Sequence, residues 1–116
     1  MKLTKDEQRI LYILKYTRKI ERRVHEIKTF DVFVSDEDNV DLISFWCQQI
    51  SEYVSNLSEE FKAEYDHIPW RQIQRFRSIP THHYERLNRE DLWKIVTEHL
   101  TELHEFVQQQ ACIRGE

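Results

Sequence analysis

A chain of 116 residues with one glycine and two prolines has little means of reversing direction sharply. Hairpins draw on Gly, Asn-Gly or Pro at defined positions, so a sheet of several strands would lack its corners. Helices have no such need, because Ser, Thr, Asp and Asn suffice to open them. The composition, 40% hydrophobic and 33% charged, suits a soluble all-α protein. The length fits a single domain over 1–116. Its core is thin, since a domain of this size buries roughly 60–70% of its unfolded surface.

Capping signals and apolar periodicity divide the chain. Thr4 with Glu7 reads as a capping box. Ile10, Ile13, Thr17, Ile20, Val24 and Ile27 then recur in steps of three and four, predicting a helix to about Thr29. Phe30 to Val34 reads as a connecting loop, since no second strand is at hand to pair with it. Ser35, followed by Asp36, Glu37 and Asp38, reads as a cap with acids in the positive first turn. Val40, Ile43, Cys47, Ile50, Val54 and Leu57 form the second stripe. Beside it run Leu42, Trp46 and Tyr53, either a wider core face or a homodimer surface.

Ser58 caps a short helix to about Tyr65. Pro69 suits the first turn of another, reaching Ile79, with Trp70, Ile73 and Phe76 inward and Pro80 ending it. Asn88 reads as the cap of the last helix, whose buried face is Leu92, Ile95, Val96, Leu100, Leu103, Phe106 and Val107. The fold expected is an up-and-down helical bundle of three long helices and one or two short ones.

A net charge of −4 means that the chain as a whole is no polyanion binder, so any nucleic-acid contact must be local. Cys47 and Cys112 share no metal-ligand spacing, and Cys47 falls on an apolar face. No run is long and apolar enough to span a membrane and no signal peptide is evident, so a reduced cytoplasmic setting is the expectation.

Several groups with chemical potential have bland readings beside them. Glu64 and His67 have the Glu-x-x-His spacing of di-iron bundles, but only one copy exists, so no metal site is expected. His99 and His104, five apart, face different ways and read as surface or half-buried side chains; His25 needs no role. Lys15, Arg18, Lys19, Arg22 and Arg23 make either a solvated face or a strip for phosphate or a partner.

The densest chemistry lies in Arg77-Ser78-Ile79-Pro80-Thr81-His82-His83-Tyr84. Arg holds phosphate bidentately, and His moves a proton near neutral pH. Around this run Arg71, Arg75, Arg77, Arg86, Arg89 and Lys94 outnumber Glu85, Glu90 and Asp91, which fits an anion or RNA site, or else a basic cluster paired with acids of other helices.

The succession Ile68-Pro69-Trp70-Arg71-x-Ile73, Arg77-x4-His82-x-Tyr84 and Leu92-Trp93-x-Ile95-Val96 resembles the HepT-type HEPN domain, the toxin half of the HepT/MNT toxin–antitoxin pair. Ile50-Ser51-Glu52 is similar to that family's Ile-Gly-Glu, and Leu57-Ser58-Glu59-Glu60 and Tyr65 fit the segment that follows. The resemblance implies a HEPN-like bundle that homodimerises, with the Arg–His motifs of both copies facing one cleft, and a metal-independent ribonuclease.

In that reading His82 takes the proton of the RNA 2′-OH and Arg77 holds the charged phosphorane. A leaving-group acid is also needed, and His83, Tyr84 and the His82 of a second copy are the candidates. The resemblance further implies that an MNT-type nucleotidyltransferase antitoxin moves AMP from ATP onto Tyr84, repelling RNA from the site. No cofactor is then expected in this chain, since ATP and Mg²⁺ belong to that partner. Ser78 stands where the family usually has Asn, Pro80 where it has an apolar helix former, and His83 where it has Gly. A non-catalytic HEPN module that binds a nucleotidyltransferase or a nucleotide is the alternative.

Overall fold

The computed structural model describes residues 2–78 and 86–113, with side chains for all of these except 77, 78 and 86–88. Within them the chain is helical and forms no strand. Helix α1 spans Lys5–Ile27, α2 Phe30–Ser35, α3 Glu37–Ser55, α4 Glu59–Glu64 and α5 Trp70–Gln74. A 3-10 turn, Arg75–Ser78, follows α5 directly. Beyond the motif, α6 Arg86–Lys94, a π turn Ile95–His99 and α7 Leu100–Ile113 run on as one long helix. Three long helices, α1, α3 and α6 through α7, carry the all-α bundle the sequence suggests.

The expected capping box opens α1: Glu7 N–H donates to the Thr4 hydroxyl at 3.1 Å and Thr4 N–H to the Glu7 carboxylate at 2.9 Å. The helix stops at Ile27, two residues before the expected end. Lys28 takes φ 72° and ψ −46°, and Thr29 N–H donates to the Ile27 carbonyl at 2.9 Å. That is a γ-turn of the rare positive-φ kind, where a side chain's Cβ crowds the backbone.

Phe30 to Val34 is not a loop. Thr29 accepts from Val32 N–H at 3.3 Å and opens α2, and Phe33 is fully buried. The β-branched residues gave no helix signal, but burying Phe33 against Trp93, with ring centroids 4.9 Å apart, overrides that propensity. The cap of α3 therefore falls one residue later than Ser35. The Asp36 carboxylate accepts from Asp38 N–H at 3.0 Å, while Ser35 closes α2 by donating to the Val32 carbonyl at 2.9 Å.

The stripes of α1 and α3 face each other: Ile10, Ile13 and Ile20 on one side and Val40, Ile43, Cys47, Ile50 and Val54 on the other are all buried. The other flank of α1 packs against α7, where Leu103 and Val107 are buried, while Phe106 meets the rings of Phe61, Tyr65 and Trp70. Ser58 caps α4 as expected, its hydroxyl accepting from Phe61 N–H at 3.1 Å. It also gives its own hydroxyl proton to Asp6 at 2.6 Å, while Ser58 N–H donates to the same carboxylate at 2.9 Å, tying α4 to the start of α1.

Helix α6 begins at Arg86, so Asn88 lies inside it rather than at its cap. The segment expected as one helix from Pro69 to Ile79 is α5 tightening into the 3-10 turn that ends at Ser78, two residues before Pro80. Trp70, Ile73 and Phe76 point inward as expected.

Candidate functional site

The helix entering the Arg77–Tyr84 run is anchored on three sides. The Trp70 indole N–H points at the Lys62 and Tyr65 carbonyls, 3.2 and 3.0 Å away, at the end of α4. Ile73 and Phe76 are buried in the core beside α3. The Ser51 hydroxyl, fully buried on α3, donates to the Gln74 carbonyl at 2.7 Å. A carbonyl oxygen has two lone pairs, and at the C-terminal end of α5 the Ser51 hydroxyl fills one of those on Gln74. The residue that departs from the family's Gly is thus a tether one turn before Arg77.

The helix leaving the run is anchored as well. Arg89 Nη1 donates to the Val34 carbonyl at 2.8 Å, Leu92 is fully buried and Trp93 stacks on Phe33. The two ends of the motif are therefore held by α3 on one side and α2 on the other.

Arg77 and Ser78 lie in the 3-10 turn. Their side chains, and His82, His83 and Tyr84 entirely, lie outside the described residues, as does Pro80. Of the basic cluster, Arg71 and Arg75 are exposed, four residues apart on one edge leading toward Arg77. Arg89 is committed to the Val34 carbonyl and Lys94 is exposed. Among the described members of the cluster Arg71, Arg75 and Lys94 remain at the surface, and the first two make a local positive edge on a chain whose net charge is −4.

Two buried or clustered groups have altered acidity. Burial pushes the Cys47 thiol up to about 12, which makes it a core residue rather than a nucleophile, as its stripe suggests. Tyr53 is also raised, first by desolvation and then by Tyr16 and Tyr12 beside it.

Sequence reading missed one side-chain network. His104 on α7 lies 2.9 Å through Nδ1 from the Thr17 hydroxyl and 2.9 Å through Nε2 from a Glu21 carboxylate oxygen on α1. A hydroxyl, an imidazole and a carboxylate in a row have the order of a hydrolase triad. Thr17, however, is buried and gives its proton to the Leu14 carbonyl at 3.1 Å, so its oxygen accepts from His104 and attacks nothing. The available signal was a hydroxyl in the middle of the α1 apolar stripe. His67 of the Glu-x-x-His spacing lies edge-on against Phe106, with centroids 5.9 Å apart.

The family described as "Ribonuclease HepT-like" matches residues 13–110. Among curated proteins, "Putative RNase MJ0127" of Methanocaldococcus jannaschii is 37% identical over 68 residues, covering 59% of this chain and 56% of the relative. "Gamma-glutamylcyclotransferase and putative RNase MJ0434" of the same organism is 30% identical over 78 residues, 67% of this chain and 35% of the relative. "Putative RNase TTE0752" of Caldanaerobacter subterraneus subsp. tengcongensis is 28% identical over 81 residues, 70% and 72% of the two chains. The chain thus spans about half the length of the first of these and a third of the second. No solved structure matches.

Proposed function

Because the chain belongs to the HepT-like ribonuclease family of the HEPN superfamily, we propose that it is a metal-independent ribonuclease and the toxin of a HepT/MNT-type pair. His82 removes the proton from a ribose 2′-OH, and the freed oxygen bonds to the adjacent phosphorus. The P–O5′ bond breaks, and a second acid returns a proton to the departing O5′, leaving a 2′,3′-cyclic phosphate. Arg77 carries the charge that builds on the phosphorane. Tyr84 is the modification site: a nucleotidyltransferase antitoxin, using ATP and Mg²⁺, places AMP on it and sets a negative charge beside the phosphate position.

The observation that carries this reading is that the family match runs through the whole Arg77–Tyr84 run. The tethering of both flanking helices supports it, since a proton-transfer pair must be held to within hydrogen-bond reach of its target. Arg71 and Arg75 lie on the approach as contacts for neighbouring phosphates.

The working form is a homodimer. Its contact surface is the aromatic face that α1 and α3 share, where Tyr12 stacks on Tyr53 at 5.0 Å and Tyr16 follows at 6.1 Å. Tyr12 is 48% exposed there, and Phe45, farther round α3, is 51% exposed, apolar area that a second copy would cover.

The test is incubation of purified protein with RNA in EDTA. Wild type should cut and His82→Ala should lose about 10²–10⁴-fold of the rate. Equal, intact RNA with both proteins sinks the ribonuclease reading and leaves a binding module. Co-expression with the transferase should add one AMP, read by intact mass, and Tyr84→Phe should abolish the adduct.

A further inference from the structure

A trough of about 470 Å³ lies between α1 and the C-terminal helix, lined by apolar Val24, Val96 and Leu100, by polar Thr97, Thr101 and Gln108, and at one side by the carboxylate of Glu105. A second hollow of about 280 Å³ adjoins it, with Glu21 and His104 belonging to both. Its other walls are Arg18, Arg22 and His25. These recur at i, i+4 and i+7, so they share one flank of α1, apart from the tyrosines that face α3.

The charges there are unevenly matched. Arg23, next along the helix, approaches Glu26 at 4.0 Å, but among the described residues Arg18 and Arg22 form no ion pair. Glu21, the acid nearest to them in sequence, is turned to His104 Nε2 at 2.9 Å. Two guanidinium forks and an imidazole are left facing one small hollow, a set suited to a phosphate group.

The trough beside it has a size common among small-molecule sites and a mixed lining: an apolar wall for a planar face, and hydroxyls and an amide for polar edges. Part of that wall is the π turn, where Leu100 N–H reaches back to the Ile95 carbonyl and the Thr97 hydroxyl to the Trp93 carbonyl at 2.8 Å. Widened turns of this kind occur often at binding sites.

We propose that this double hollow binds a nucleoside phosphate, its phosphate against Arg18, Arg22 and His25 and its nucleoside in the trough. Among the described residues none of α5 or of the 3-10 turn lines it, which sets it apart from the Arg71–Arg75 edge. The same chemistry has two sources, a free mononucleotide or one unit of an RNA strand.

Calorimetric titration of the full chain separates these, using AMP, GMP, inorganic phosphate and a short 2′-O-methyl oligoribonucleotide that cannot be cut. Saturable binding of AMP or GMP assigns a free nucleotide, and binding of the oligomer alone assigns RNA. In either case Arg18→Gln with Arg22→Gln should weaken binding at least about tenfold, and so should the exposed Thr101→Glu, with circular dichroism and melting unchanged. The proposal is overturned if neither ligand saturates, if the arginine pair can be replaced without effect, or if inorganic phosphate competes as well as the nucleotide. None of these titrations depends on cleavage, so loss of the ribonuclease reading leaves them interpretable.

Discussion

His104 joins α7 to α1 through two bonds of equal length and unequal worth: 2.9 Å to the Thr17 hydroxyl and 2.9 Å to Glu21. The Glu21 side chain is 66% exposed, where a contact to a carboxylate contributes about 0–1 kcal/mol. Thr17 is 2% exposed, and breaking a buried hydrogen bond costs about 1–3 kcal/mol when a polar group is left unpaired. Thr17→Val should therefore lower unfolding free energy by about 1–2 kcal/mol, and Glu21→Gln by less than about 0.5 kcal/mol. A double-mutant cycle of Thr17→Val with His104→Ala should give about 1 kcal/mol of coupling in urea titrations. Strict additivity would show that the two side chains do not act on each other.

Ser51 is a tether whose loss tests stability and the proposed cleavage in one variant. Ser51→Ala leaves the Gln74 carbonyl without its 2.7 Å donor and should cost about 1–2 kcal/mol. The same change loosens the helix one turn before Arg77, so ribonuclease rate should fall while the pH profile keeps its shape. A rate equal to wild type in a measurably destabilised Ser51→Ala protein would show that the tether serves the fold alone.

The two cysteines should react very differently. Cys112 is exposed, whereas Cys47 is buried and its thiol is pushed up to about 12. At pH 8 an alkylating reagent should modify Cys112 and spare Cys47, with both reacting in denaturant. The folded chain holds the Cys47 proton more tightly than the unfolded one. Its contribution to stability is therefore complete below the ordinary value of 9.0 and is lost as pH climbs toward about 12. Rapid native labelling of both thiols would contradict the burial.

Lys28 sits at φ 72°, and replacing it tests whether the γ-turn is strained. Such a conformation costs about 1–3 kcal/mol for a residue with a Cβ, while glycine's extra chain entropy takes back about 0.5–1 kcal/mol. Lys28→Gly should stabilise by about 1 kcal/mol and raise the melting temperature by about 4 °C, whereas Lys28→Ala should gain nothing. Equal melting for the two variants would argue against strain.

Charge placed in the aromatic face should break the proposed dimer. Tyr12→Glu with Phe45→Glu, both at exposed positions, should sediment as a monomer with unchanged circular dichroism. If cleavage needs groups from both copies, rate should then depend on protein concentration. A wild-type chain that is monomeric at every concentration removes this surface from the account.

The bundle was legible because its signals are local and repeated. Ile10 to Ile27 and Val40 to Leu57 keep helical spacing over many turns, and Thr4, Ser58 and the acids after Ser35 announce helix starts. What escaped depends on distant partners. Phe30–Ser35 has a local cap in Thr29, but the burial of Phe33 against Trp93 that outweighs its β-branched residues comes from sixty residues away. Asn88 is as good a cap residue as any, yet α6 had already begun at Arg86. Ser51 looked like a departure from a family pattern until Gln74 came to lie beside it. The Arg77 motif was legible as a motif, through Ile-Pro-Trp before it and Leu-Trp after it. The α1–α7 hollow was not, because Arg18 and Thr101 are brought together only by packing.

The π turn at Ile95–His99 also bears on what changes in length this protein tolerates. A helix ordinarily answers the loss of one residue by swinging everything downstream through about a quarter-turn or more, which here would turn Leu103, Phe106 and Val107 into water. A π turn encloses one residue more than an α turn does. Deleting a residue inside it would heal the helix to regular α geometry and leave the far half facing α1. The long helix thus carries a spare residue, and a chain that loses it there keeps the same fold while reshaping one wall of the trough.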